Sequence, residues 1–97
     1  MITSATLFTG NLGLDPIRIH PHAQERMRER GATEEEVLET VKKGERFPAK
    51  FGRTGFRHNF PFGKTWRGKV YRTKQIEAFC AREEDEWVVI TVLVKYF

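Results

Sequence analysis

The pattern of apolar and polar positions divides the chain into a helical first half and a strand-rich second half. Residues 17–19 alternate apolar, polar and apolar, which predicts a brief strand. Pro21 then suits the first turn of a helix, because its missing N–H has no helical partner there. We expect this helix to run to about Arg30 and to stop at Gly31, a residue type that favours the left-handed conformation after a last turn.

The second helix has a clearer start and end. Thr33 and Glu36 have the spacing of a capping box, in which each side chain bonds the other residue's backbone N–H. Gly44 follows two lysines and closes the helix, since cations are favoured at its C-terminal end. The expected buried face comprises Val37, Leu38 and Val41.

After Gly44 the periodicity is that of strands. Strand-like runs cover residues 45–51, 56–62, 70–82 and 87–97, and the last is nearly continuous apolar sequence, as in a central strand. We predict an α+β domain with two N-terminal helices packed on a sheet of about four antiparallel strands. The helices are expected to cover the even-numbered aliphatic positions of the last strand, Val88, Ile90, Val92 and Val94.

Length and composition predict one domain over residues 1–97, with residues 1–16 as a loose arm or a short strand. Cys80 is the only cysteine, so no internal disulfide forms, and we expect a buried, inert thiol in a reducing, cytoplasmic setting. The N-terminus lacks the pattern of a signal peptide, and no apolar run is long enough to span a membrane.

The charge is unevenly distributed. The net charge is only +4, but residues 46–74 contain nine Lys or Arg, seven aromatic residues and no Asp or Glu. Phosphates attract cations, and unpaired bases stack on flat rings, so this segment favours an RNA partner over a solvated basic loop. The expected substrate contacts in and near this segment are Arg30, Arg57, His58, Trp66, Lys69, Tyr71 and Lys74.

His22, Arg26 and Arg30 follow one side of the first helix, because they are four residues apart. A neutral imidazole can take the proton of a ribose 2′-hydroxyl, and a guanidinium can stabilise the charge that develops on phosphate. The alternative is a half-buried histidine with arginines that pair with nearby glutamates. His20 and His22 lack a third ligand, so we predict no metal site, and no motif for a cofactor is present.

The run from His22 to Val37 resembles the bacterial domain-of-unknown-function family 4258. Its pattern is His-Ala-x-x-Arg-Met-x-x-Arg-Gly, then a small or aliphatic residue, Ser or Thr, and an acidic helix start, and Ile90-Thr91-Val92 fits its later strand. The segment 46–69 is longer and more aromatic than the family pattern. The family is similar to the RelE, barnase and colicin-like ribonucleases, many of which are toxins. That resemblance implies a RelE/barnase-like fold and a site of His22, Arg26, Arg72 and Thr91.

The sequence therefore predicts a small, metal-independent endoribonuclease, the toxin of a toxin–antitoxin pair. His22 would act as general base or acid, Arg26 and Arg72 would stabilise the phosphate with support from Arg30, and Thr91 would lie beside them. The expected partners are RNA and an antitoxin protein, with no cofactor and no membrane. Two alternatives stay open: a non-catalytic module that binds RNA or single-stranded DNA, and a protein-interaction domain whose aromatic residues form an apolar patch.

Overall fold

A computed structural model describes residues 15–97 of the chain. Helix α1 spans Pro21–Arg30 and ends at Gly31, whose φ of 83° is left-handed. Helix α2 spans Glu34–Lys43 and begins with the complete capping box of Thr33 and Glu36. Both helices therefore begin and end as the sequence predicts. Neither is long and apolar enough to cross a membrane.

The helices cover one face of a five-stranded sheet with the strand order β1-β5-β4-β3-β2. Its strands are β1 (Ile17–Ile19), β2 (Glu45–Pro48), β3 (Thr54–Trp66), β4 (Lys69–Glu83) and β5 (Glu86–Tyr96). Strands β2 to β5 pair antiparallel, whereas β1 pairs parallel with β5. The α+β class is confirmed, but the sheet is mixed and has five strands, because the short β1 adds to the edge. Of the predicted arm at 1–16, residues 1–14 lie outside the described part of the chain.

The core lies between the helices and the middle of the sheet. Ala23 and Met27 of α1 and Val37 of α2 form one buried cluster with Ile76 of the central strand β4 and Val92 of its neighbour β5. Cys80 is fully buried in the same cluster, and burial raises the pKa of its thiol to about 12. The thiolate is the nucleophilic form, so the predicted inert thiol agrees with this environment.

A bulge in β5 changes which side chains of that strand face the core, so the predicted inward face is only partly right. Cys80 pairs with Val89 and Phe79 pairs with Thr91, so Ile90 is an extra residue without a partner in β4. An extra residue reverses the alternation of side chains beyond it. Core positions are therefore Trp87 and Val89 before the bulge, and Val92 and Val94 after it, rather than one continuous even-numbered set.

Strands β3 and β4 form a long hairpin that extends past the rest of the sheet. Backbone hydrogen bonds between β4 and the C-terminal segment end at Thr73 and Phe97, whereas β3 and β4 stay paired as far as Trp66 and Lys69. The turn residues Arg67 and Gly68 both have positive φ, as in the tight turns that match the twist of a hairpin. We call residues 62–72 the hairpin arm. It is two-stranded, so its position depends on its own packing and on its contacts with α1 and with Tyr96 at the end of β5.

Candidate nucleic-acid interface

The hairpin arm carries four exposed cations: Lys64, Arg67, Lys69 and Arg72. None of them forms an ion pair with a carboxylate anywhere in residues 15–97. Charge on an arm that projects from the protein is also accessible from several directions. These cations therefore give an unneutralised positive surface suited to a polyanion.

An aromatic cluster lies at the base of the arm. Trp66 stacks on Tyr96 with ring centroids 4.9 Å apart and an interplanar angle of 18°. Phe62 and Tyr71 approach the same tyrosine at 5.2 and 5.7 Å. The Tyr96 hydroxyl donates to the Arg30 carbonyl at 2.8 Å, and burial raises its pKa, which keeps it a donor. The cluster therefore fixes the arm against the C-terminal end of α1.

The cations of the arm lie beside these rings. The Arg67 guanidinium is 5.1 Å from the centroid of Trp66, and the Lys69 ammonium is 5.7 Å from that of Tyr71. Arg67 also donates to the Glu29 carbonyl at 3.1 Å, which orients it. Phosphate-binding groups beside half-exposed rings are what an unpaired nucleotide requires. The predicted contact residues Trp66, Lys69 and Tyr71 are brought together here.

Two other predicted contacts, Lys74 and Arg30, serve the fold instead. Lys74 is only 5% exposed, and its ammonium donates to the Gly31 carbonyl and, at 2.8 Å, to a Glu36 carboxylate oxygen. The half-buried Arg30 donates to the Val92 carbonyl at 2.7 Å. These groups tie α1 and α2 to the sheet, so the prediction that Lys74 lies on an accessible RNA-binding surface is wrong.

Arg57 and His58 lie next to each other in β3 but point to opposite faces, and both contact carboxylates. Arg57 donates to Glu77 at 2.7 Å, and this hydrogen bond raises the pKa of its guanidinium. Its guanidinium also lies 4.4 Å from the centroid of Phe47. His58 is 3.4 Å from a Glu39 oxygen of α2. The structure therefore separates both residues from the hairpin arm.

His22 is exposed in the first turn of α1, not half-buried. Its backbone N–H donates to Nδ1 of His20 at 3.0 Å, so His20 caps the helix, a role that sequence reasoning missed. Arg26 pairs with Glu29 on the same helix. An ion pair at this spacing on a surface is weak, so Arg26 can exchange Glu29 for another anion.

The four residues predicted to form one catalytic site do not converge. His22 is in the first turn of α1, whereas Arg72 belongs to the arm beyond its last turn, and nine helical residues span about 14 Å. Thr91 lies opposite Phe79 on the face of the sheet away from both helices. His22 and Arg26 lie one helical turn apart on α1, whereas Thr91 faces away from both helices and Arg72 belongs to the hairpin arm.

A second cationic surface lies at the other end of the long hairpin. The guanidinium groups of Arg46 and Arg82 are 5.1 and 4.7 Å from the centroid of Trp87. They line a groove of about 590 Å³, in which Asp15 pairs with Arg82 at 2.8 Å. Sequence reasoning missed this site, because its residues come from three separate strands and no local pattern links them.

No group of three His, Cys, Asp or Glu side chains suited to a metal ion occurs among residues 15–97. In comparisons with known proteins, the family model of a domain of unknown function (DUF4258) matches residues 19–94. No curated protein and no solved structure matches the chain.

Proposed function

The chain belongs to the DUF4258 family, and we propose that it binds single-stranded RNA along the hairpin arm. The main supporting observation is that the arm, which also holds Trp66 and Tyr71, carries four exposed cations that form no ion pair within residues 15–97. A single strand offers both phosphates and unstacked bases, so cations and rings can contact it together. A duplex hides its base faces and would use the cations alone.

The arm is built to hold this arrangement before RNA arrives. Trp66 is stacked on Tyr96, and the Arg67 side chain is oriented by the Glu29 carbonyl. Binding to a preformed surface avoids much of the entropy cost of ordering side chains. We infer that bases contact the exposed edge of the cluster, chiefly Tyr71, while Lys69 and Arg72 bind the adjoining phosphates.

The double substitution Lys69→Gln and Arg72→Gln tests this proposal. Each lost phosphate contact lowers the slope of log affinity against log salt by about 0.7 for a single strand, so we expect the slope to fall by about 1.4. At about 0.1 M salt this corresponds to a roughly 25-fold loss of affinity. Fluorescence anisotropy with a labelled oligouridine over a salt series measures both quantities.

The charge-matched control is Lys42→Gln with Lys43→Gln at the end of α2. Both lysines are exposed, and neither forms an ion pair within the described chain. The control removes the same net charge but leaves the arm intact, so its slope and affinity should stay close to those of the wild type. Equal losses in the two double variants would reject the arm as the RNA-binding surface.

A second candidate function is endoribonucleolytic cleavage, with the protein as the toxin of a toxin–antitoxin pair. The observation that favours it is the exposed imidazole of His22, one helical turn from Arg26. His22 would accept or return the proton of the 2′-hydroxyl, and Arg26 would stabilise the phosphate after exchanging Glu29. Arg72 and Thr91 lie elsewhere and take no part in this reduced site.

For this candidate we expect His22→Ala to abolish cleavage while RNA affinity stays unchanged, because the arm is untouched. Cleavage of a labelled RNA and anisotropy with the same RNA measure the two effects. Expression of an active toxin should also arrest growth, and His22→Ala should restore it. Undiminished cleavage by the variant would exclude His22, and an inactive wild type would leave RNA binding as the function.

A further inference from the structure

The face of the sheet away from the helices carries an apolar groove of about 670 Å³. We call it the open-face groove, and its main lining residues are Phe47, Phe51, Phe79, Thr91 and Leu93. Phe47 and Phe79 meet edge to face with centroids 6.0 Å apart. Gly55 lies directly beneath Phe47, since a Cβ at this glycine would come within 2.4 Å of the ring. The floor is therefore closely packed and preformed.

Phe51 is the most unusual residue of this groove. The residue is 90% exposed, and its backbone has a φ of 61°, a left-handed conformation that disfavours large side chains. Hydrogen bonds from Ala49 to Arg53 and from Arg53 to Lys50 hold the segment on both sides. The fold thus fixes a phenylalanine in solvent beside an apolar floor, which marks an interaction surface more than a packing requirement.

The rim of the groove is positively charged. Lys50 and Arg53 line it, and Lys95 is exposed on β5, two residues after Leu93. None of the three cations pairs with a carboxylate in the described chain. The buried carboxylate on this face, Glu77, is already bonded to Arg57. The exposed carboxylate of Glu45 also lies on this face and pairs with Arg57 at 3.4 Å. The lining of the groove itself is therefore apolar at its centre and cationic at its rim, and it contains no acidic residue.

We propose that the open-face groove binds a segment of a partner protein that presents apolar side chains flanked by Asp or Glu. The apolar side chains would fill the floor against Phe51, and the carboxylates would contact Lys50 and Arg53. Such a pattern, an apolar centre with a charged rim, is the usual organisation of a protein interface. This surface is separate from the hairpin arm and does not depend on RNA binding there.

Two other occupants fit less well. The first is a nucleic acid, whose bases would stack on exposed rings. The Arg57 guanidinium covers the face of Phe47 at 4.4 Å and Phe79 covers its edge, so Phe51 is the ring left open for a nucleobase. A second copy of the chain in a two-fold contact would bring the two cationic rims together, because such an interface uses the same patch on both subunits. Charge complementarity thus favours an acidic protein segment.

A random peptide library selected against the protein tests this proposal. We expect enriched sequences to combine apolar residues with Asp or Glu, and Phe51→Ala to weaken their binding at least about 10-fold, as for a central anchor residue. Phe51 is so exposed that its substitution should not affect folding. Charge reversal at the rim, Lys50→Glu with Arg53→Glu, should shift selection to peptides with Lys or Arg.

The variant with Lys69→Gln and Arg72→Gln keeps the groove intact and should bind the same peptides as the wild type. The experiment therefore distinguishes a failure of the RNA-binding proposal for the arm from a failure of the peptide-binding proposal for the groove. Three results would overturn the proposal. The first is that no peptide is enriched in a way that depends on Phe51. The second is that oligouridine displaces the peptide and Phe51→Ala weakens the binding of both ligands, and the third is that the protein forms a dimer that Phe51→Ala abolishes.

Discussion

Replacement of Lys74 by alanine should lower the free energy of unfolding by about 3 kcal/mol, at the lower end of the range for breaking a buried ion pair. The ammonium donates to the Gly31 carbonyl and to Glu36, and its side chain is only 6% exposed. Without it, the carbonyl and the carboxylate lose their partner in a poorly solvated site. Glu36 also accepts from the Thr33 N–H, so the start of α2 should loosen as well.

The matched control is Arg72→Ala, two residues earlier on β4. Arg72 is exposed and forms no ion pair within residues 15–97, so its loss should change stability by no more than about 0.5 kcal/mol. Urea unfolding followed by circular dichroism compares the two variants. For a domain of this size, the expected loss for Lys74→Ala corresponds to a fall in melting temperature of roughly 12–24 °C. Equal stability of the two variants would mean that Lys74 does not tie the helices to the sheet.

The position of Lys74 shows that a basic segment of the sequence can contain a buried lysine. Charge alone placed it among the RNA contacts, but the alternation of Ile76, Ala78 and Cys80 already defines the inward face of β4. Two residues before Ile76, the same alternation directs Lys74 inward. The alternation of side chains along β4 therefore predicts that Lys74 faces the core, whereas composition predicts an exposed cation. Where the two disagree, the alternation is the better guide.

Both helices could be predicted because their signals are local. The capping box of Thr33 and Glu36 and the left-handed Gly31 determine where the helices begin and end within a few residues. The bulge at Ile90 could not be predicted in the same way. Apolar residues precede and follow it, so either face of β5 would suit the core, and only pairing with β4 decides the register.

The residues of the candidate site also differ in whether a local pattern or contacts distant in sequence determine their positions. His22 and Arg26 are neighbours because helical spacing alone brings them together. Arg72 and Thr91 could join them only through the relative positions of β4, β5 and α1, which depend on contacts distant in sequence. The hairpin arm was missed as a unit for a similar reason. Gly63 and Pro61 indicate a break, yet β3 continues past both through a bulge.

The second large effect is expected for Gly31→Ala at the end of α1. The φ of 83° places an L-residue in the left-handed region, at a cost of about 1–2 kcal/mol. A Cβ there would also lie 2.7 Å from the Tyr96 hydroxyl and 2.8 Å from the Trp66 ring. Displacement of these packed groups adds about 1–3 kcal/mol, so the total loss of stability should be about 2–5 kcal/mol.

Gly68→Ala separates the two contributions, because Gly68 has a φ of 85° but a Cβ at this position would meet no packed group within 4 Å. It should lose only the conformational part, about 1–2 kcal/mol. The excess for Gly31→Ala, measured by urea unfolding, then reports how tightly the aromatic cluster packs on α1. Displacement of Trp66 should also weaken RNA binding while the salt slope stays unchanged, because every cation of the arm is retained. Equal losses of stability for the two alanine variants would show that the cluster yields freely and does not fix the arm.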